Sequence, residues 1–529
     1  MKPNSTLLFL IHLFYLLPAF HLNAAPNETL PTYHWAYRMI AEVQQRGFCL
    51  DLPQANMPWV RGEIAASLIN AEKKLKIDRE HSLVQQLFQS LREEFRAEMK
   101  VRNPDSPRED RLLIRGNFRA NLDEDEDKTA HYRGTYRGGL GVALGSNVYA
   151  FNGVNFNQYD YADASYYGYK WRGIAGYTEQ AYIAASWQRF RLRLGRDFLK
   201  WGVGESGTLI LSGIAQPFDH LLASADFGPF RFTFFASELD NFSPVFIDSV
   251  RIPVRRFLSG HRLDLHFWQG RIQAALSELM LYGGPNATFS TIYSNPVIFY
   301  HGEHKNKASY LGNVLPTIDL LVYPLRNWQL YGSLLIDDFQ IEKQDSMDLE
   351  PNEIGWLIGT KWADVWRVNG LTLSAEYVRI ANRTYKTPDA LETFTFRNRP
   401  LGHPLGNDFD HWQIGVGYRM NRDWHVEVVY SKTRHGEGSI KSPWDAPWLK
   451  LDVADGYSEP FPTGMVEKTS EFKVTVWWFM SRHIHLYGVF CLQSIDNWQH
   501  KLASEHQATS GKVTLEIDLM QCWDLGKSN

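Results

Sequence analysis

Cysteine is scarce: 529 residues contain three, Cys49, Cys491 and Cys522. That is too few for a disulfide framework, and their spacing fits no metal site. Neither sign of charge dominates, with 55 Lys and Arg against 59 Asp and Glu. A net charge of -4 gives no electrostatic case for nucleic acid, which would demand a basic face. Long apolar runs are missing too: after residue 22 nothing approaches the ~20 residues of a membrane-spanning helix. Mean hydropathy of -0.34 then points to a soluble protein, which the strand pattern contradicts. What the chain does have is aromatic side chains: 18 Trp, 25 Tyr and 31 Phe. With 44% hydrophobic residues, a disordered chain is excluded.

Residues 1–25 read as a secretory signal. Lys2 precedes an apolar stretch from Leu7 to Phe20, and Ala24 and Ala25 supply small residues for cleavage. Residues 26–107 read as a helical domain. Tyr33, Tyr37, Ile40, Ala41 and Gln44 recur at helical spacing, and Gly47 ends the run. Pro58 is expected to open a second helix with Trp59, Ile64, Leu68 and Leu75 on one face. A third, from Asp78 or Ser82, repeats Leu83, Leu87, Leu91 and Phe95, and Asn103–Pro107 reads as a linker.

From residue 108 to 529 the period is two. Leu263, Leu265 and Phe267 alternate with Arg262, Asp264 and His266; Leu515, Ile517 and Leu519 alternate with Thr514, Glu516 and Asp518. From Arg191 onward, tight turns such as Gln188-Arg189, Gln269-Gly270 and Asn421-Arg422 alternate with long connections near 198–218, 282–309, 383–410 and 435–467. Short turns at one end and long loops at the other are the pattern of an outer-membrane up-and-down antiparallel β-barrel. Fourteen segments follow residue 191, and parity of direction requires an even number between Arg111 and Trp187. Four there give about 18 strands in all; a fifth around Ser165–Gly176 is the alternative. Only every second residue meets lipid, which explains the low hydropathy. Trp187, Trp268, Tyr323, Trp328, Trp412, Trp424, Trp477 and Trp478 lie near strand ends, as in interfacial girdles. The last strand is expected to end near Met520, with Trp523 in place of a terminal aromatic.

Several blocks carry a resemblance. GRDFLKWGVGESGTLILSGIAQPFDHL (Gly195–Leu221), SGHRLDL (Ser259–Leu265), LSELMLYGG (Leu276–Gly284), NPVIFYHGEHKN (Asn295–Asn306) and LLIDDFQI (Leu334–Ile341) resemble, in order and spacing, the capsule assembly protein Wzi family. The resemblance implies an 18-stranded outer-membrane barrel whose periplasmic helical bundle blocks the pore. It also implies a non-catalytic, lectin-like role in attaching or organising capsular polysaccharide, with polysaccharide and outer-membrane lipid as partners. A porin-like channel for small solutes is the competing reading. An enzyme is disfavoured, because no Ser, His and acid gather around a strand-end motif.

Within those blocks, Gly195, Arg196, Asp197, Trp201, Gly202, Gly204, His261, Arg262, Glu278, Asp337 and Asp338 read as structural. Gly202 and Gly204 let a long loop fold back into the barrel mouth. Arg196 and Asp197 are expected to pair in the wall. Glu278 shares a strand side with Ile272, Ala274, Leu276 and Met280, so it faces lipid unless a bulge flips it. Asp337 and Asp338 adjoin and point to opposite faces unless a bulge intervenes. His301, Glu303 and His304 lack further ligands for a metal, and no cofactor is expected. The acidic run Asp123–Asp127 reads as a solvated loop. The longest loop is the candidate sugar site. There Trp444, Trp448 and Tyr457 offer flat faces for pyranose rings, and Asp445, Asp452 and Asp455 offer hydroxyl acceptors.

Overall fold

A computed structural model describes residues 26–75, 82–101, 110–124, 129–163, 166, 168–240, 242–247, 250–305, 312–341 and 344–525. The signal reading of 1–25, the linker at 103–107 and residues 125–127 of the acidic run lie outside these.

The barrel strands run in chain order from β1 (Arg111–Glu124), β2 (Ala130–Leu144), β3 (Val148–Asn157) and β4 (Ile174–Trp187) to β5 (Phe190–Asp197) and β6 (Phe218–Asp226). Next come β7 (Phe230–Glu238), β8 (Val250–Phe267), β9 (Ile272–Pro285), β10 (Gly312–Leu325), β11 (Trp328–Asp338) and β12 (Glu353–Ala363). The last are β13 (Leu371–Ile380), β14 (Phe409–Arg419), β15 (Trp424–His435), β16 (Glu467–Ser481), β17 (Ile484–Asp496) and β18 (Glu505–Asp524). All pair antiparallel with their neighbours, and β18 closes on β1 from Arg111 opposite Asp524 to Glu124 opposite Gly511. Two short pieces, Lys170–Trp171 and Phe242–Ile247, extend the ladder at long-loop ends. Among the described residues the full barrel strands therefore number 18, four of them before Phe190. Among the described residues, the stretch Ser165–Gly176 holds only the two-residue strand Lys170–Trp171 and the start of β4 rather than a fifth barrel strand, and a helical turn, Tyr159–Ala162, precedes it. The final strand runs past Met520, placing Trp523 inside it opposite Leu112.

Faces alternate as a barrel in lipid requires. On β5, Phe190, Leu192 and Leu194 are exposed on the outer wall, while Arg193 and Asp197 are buried inside. Trp187 and Trp268 project outward at the short-turn rim. Two expected girdle residues do not: Tyr323 is buried in the lumen core, and Trp477 lies under the Arg38 guanidinium, 3.3 Å from its ring centroid.

The helical head comprises α1 (Ala36–Gln45), α2 (Arg61–Leu75), α3 (Ser82–Glu94) and α4 (Arg96–Val101). The second helix starts at Arg61, three residues after Pro58, yet Trp59 is still buried with Ile40, Val43, Ile64, Leu68, Leu87, Leu91 and Phe95. Gly47 at φ 88° takes the left-handed position that stops α1. Arg61, wholly buried, ties the helices together through Glu98 at 2.6 Å and Glu94 at 2.8 Å.

This head closes the short-turn mouth. Arg46 reaches Asp364 in the β12–β13 turn at 2.8 Å, Glu42 accepts Arg419 at the foot of β14 at 2.5 Å, and Glu63 takes Arg191 at 2.6 Å together with Arg231. Tyr33 sits under Arg119 and Arg137 of the opposite wall. The head does not fill the lumen alone. The β5–β6 loop folds inward, and its Lys200-Trp201 pairs as a strand with Met57-Asn56 of the head. Trp201, Leu209, Ile210 and Leu211 join inward residues such as Phe235, Leu279, Leu315 and Leu357 in one core. Tyr385, Phe394 and Leu401 of the β13–β14 loop cover it from outside.

Candidate functional site at the long-loop end

The family-block residues divide between plug, wall and outer mouth. Gly195, at φ 123°, leaves no room for a side chain, since a Cβ would lie 2.1 Å from the Ala181 carbonyl oxygen. Arg196 and Asp197 do not pair, because adjacent residues face opposite sides. Arg196 holds Asp219 on the outer face, whereas buried Asp197 takes Arg193 at 2.7 Å and the Gln180 amide at 2.7 Å inside. Gly202 donates its N–H to Ala55 at 2.9 Å. Gly204, at φ 137°, lies where a Cβ would be 2.0 Å from the Gly207 carbonyl oxygen. The Glu205 and Ser206 N–H groups donate to Glu376 of β13 at 2.7 and 2.9 Å. Ser206 also has the His403 ring at 3.4 Å, but its hydroxyl donates to Glu376, and His403 is wholly buried. That trio clamps the loop to the wall. Arg262 is wholly buried between Asp264 at 2.8 Å and Asp319 at 2.7 Å, and Asp264 accepts the Asn56 amide of the head at 2.7 Å. Burying that cation is tolerable because two carboxylates and the Ser277 hydroxyl accept from it.

Glu278 stays in regular register opposite His261 and Pro316, with no bulge, so it does point outward. It is nevertheless buried. The β9–β10 loop folds back down the outer wall, and its Tyr300 and His301 N–H groups each donate to the Glu278 carboxylate at 2.7 Å. His261 Nε2 lies 3.2 Å from the same carboxylate.

The outer mouth holds a cavity of about 180 Å³. Asp337 and Asp338 both line it, because the ladder shifts register between Ile336 and Asp338. Glu350 and Glu353 come from the next loop and strand, Lys386 and Thr387 from the β13–β14 loop, and Trp444 from the β15–β16 loop. Asp337 accepts the Tyr385 N–H at 2.5 Å and Asp338 the Phe339 N–H at 2.7 Å, so both carboxylates are held in place. Burial beside the Arg383 guanidinium holds the Lys386 ammonium below its usual range. Below Thr387, burial pushes Glu392 up to about 7 against its hydrogen bond from the Thr387 hydroxyl.

The aromatic residues of the longest loop have unequal roles. Trp444 is half-buried and lines the cavity, but Trp448 is only 2% exposed. The buried Arg383 guanidinium stacks on both, 4.3 Å from the Trp448 centroid and 4.9 Å from Trp444, while donating to Asp445 and Glu459. Trp448 also packs against Tyr457 at 5.9 Å. Trp448 is therefore the support of the loop rather than an open platform. Asp452 accepts the Ala454 N–H at 2.9 Å and caps a short turn; Asp455 is exposed and lines no part of the cavity. Sequence reasoning missed Arg383, Lys386, Glu350 and Glu353, which lie on other loops and strands, with no spacing that ties them to Trp444.

Residues 119–510 match the capsule assembly protein Wzi family. No curated protein sequence matches the chain. Among solved structures, Escherichia coli Wzi is described as an outer-membrane protein involved in group 1 capsule assembly and a carbohydrate-binding β-barrel. It is 15% identical, with 93% of this chain and 99% of that one covered and a TM-score of 0.60. Pseudomonas aeruginosa OccD3 and OpdK are each 9% identical over 78% and 77% of this chain and 91% and 99% of theirs, with TM-scores of 0.43. The match over most of the barrel places this chain in the capsule assembly protein Wzi family.

Proposed function

We propose that this outer-membrane barrel binds surface polysaccharide without transforming it, and that the cavity beneath Trp444 is its sugar subsite. The supporting observation is the pairing of a half-buried indole with fixed carboxylates, Asp337 and Asp338, in one outward-opening hollow. A pyranose presents an apolar face to an aromatic ring and hydroxyl donors to carboxylates, and this hollow offers both. Family membership and the carbohydrate binding described for E. coli Wzi support the same reading. The filled lumen weighs against a solute channel. Lipid contacts the barrel along its apolar outer band.

The test is binding of isolated capsular polysaccharide to the purified, folded protein by calorimetry. Trp444→Ala is expected to weaken binding by about tenfold, in line with the ~1.4 kcal/mol that one aromatic contact supplies. Undiminished binding by that variant and by Asp337→Asn would place the sugar site elsewhere.

A further inference from the structure

Irregular backbone rarely lies against lipid, because hydrocarbon cannot satisfy its polar groups. Here the β9–β10 loop does lie there. Glu278 is six residues along β9 from Ile272, about 20 Å up the strand from the short-turn rim. The loop reaches down to it and beyond. Its backbone is satisfied internally and by the wall: Ser294 N–H donates to Ser290 at 3.1 Å, Asn295 N–H to Ile292 at 3.0 Å, and Tyr300 and His301 to Glu278. Tyr293 and Tyr300 pack onto Phe257, Met280 and Tyr282 of the outer wall, leaving Val297 and Phe299 exposed toward the bilayer.

At its lowest point the loop leaves a groove of about 460 Å³ between itself and the barrel. Ala185, Leu192 and Ala223 form the floor, Trp187 and Phe232 the sides, and Pro296 the far edge. All five wall residues belong to the lipid-facing set of β4 to β7. Trp187 adjoins the β4–β5 turn, which places the groove in the leaflet on the helical-head side. At that rim the exposed Arg189 lies over the Phe227 ring at 5.6 Å. The groove is continuous with the surface the barrel gives to lipid, and Arg189 stands in the turn between Trp187 and Phe190, both of which line it.

We propose that this groove holds one acyl chain of a glycerophospholipid from the periplasmic leaflet, with its phosphate beside Arg189. A groove walled by Trp187, Phe232 and Pro296 fixes one chain where the open wall lets lipids exchange, and Arg189 supplies the charge partner.

The experiment is native mass spectrometry of the full protein purified in a mild detergent, with lipid identification by acyl and headgroup analysis. The wild-type protein is expected to carry glycerophospholipid stoichiometrically. Ala223→Trp and Leu192→Trp, both outward-facing changes, should each remove it while the heat-dependent gel shift of the folded barrel persists, and Arg189→Glu should reduce it severalfold. Ile358→Trp, on the exposed wall of β12, should leave it unchanged. Equal retention by the folded Ala223→Trp and Leu192→Trp proteins overturns the proposal. So does recovery of lipid A in place of phospholipid, or of a second copy of the chain.

Discussion

The Glu278 carboxylate accepts the Tyr300 N–H at 2.7 Å on the outside of the barrel, and the His301 N–H at 2.7 Å beside it. A charge on the lipid side of a strand is stabilised by a chain segment lowered over it. Glu278→Ala leaves two backbone donors without acceptors in an apolar setting, at about 1–3 kcal/mol each. The variant should lose the fold at a lower temperature in the gel-shift assay, and residues 286–305 should become open to protease. Glu278→Gln, which still offers one acceptor oxygen, should fall between. An Ala variant with wild-type melting and digestion would show that the segment is held by its aromatic packing alone.

Trp444 and Trp448 should separate binding from stability. Trp448 is buried against Arg383 and Tyr457, so Trp448→Ala creates a cavity and is expected to destabilise by about 3–5 kcal/mol locally, loosening the loop. Trp444→Ala should leave the melting midpoint almost unchanged and reduce polysaccharide binding. Arg383→Ala should do both, since it removes the stacking partner of the two rings. Midpoints and calorimetric affinities of the three variants measure this directly. Equal loss of stability in both Trp variants would contradict the division of roles.

The loop carrying Gly204 closes the lumen together with the head. Deleting residues 203–210 removes Leu209 and Ile210 from the core and the Glu376 clamp, leaving the head in place. Planar-bilayer conductance should be small for the intact protein and rise severalfold for the deletion. Replacing Gly204 by Ala forces a side chain against the Gly207 carbonyl and should give intermittent openings. A large, steady conductance from the intact protein would mean that the polar side of the lumen, along Arg119 and Arg137, already conducts.

Strand number was legible because lengths of connection, unlike single strands, alternate over the entire barrel and so constrain direction by parity. Where a connection held its own local structure, as at Tyr159–Ala162 and Lys170–Trp171, the residue pattern alone could be drawn as four or five strands, and only parity favoured four. Period two correctly turned Glu278 outward, but its cover comes from residues 22 and 23 further along, and periodicity carries nothing about a loop that folds back. The Asp337-Asp338 pair needed a bulge to share one cavity, and a bulge leaves no mark in the alternation. Trp444, which lines the cavity, was singled out by the composition of its own loop. Arg383, which decides how that loop stands, belongs to another, and only the closed barrel brings the two together.

The head should come loose in acid. Burial alone would raise the carboxyls of Glu42 and Glu63, but Arg419 for the first, and Arg191 and Arg231 for the second, hold both at about 2. Folded values below the usual carboxylate range mean that these pairs stabilise docking fully above about pH 4.5. The contribution is then lost as pH falls from there toward 2, as both carboxylates take up protons. Each is worth roughly 3 kcal/mol on this reckoning. Channel conductance or protease access to α1 and α2 should therefore rise between pH 4.5 and pH 2 and reverse on neutralisation. Glu63→Gln with Glu42→Gln should show the released state already at pH 7, with little further change in acid. If conductance and digestion of the wild-type protein stay flat across that window, the head is held by its apolar contacts, Trp35 on Phe479 among them, and the ion pairs only set its register.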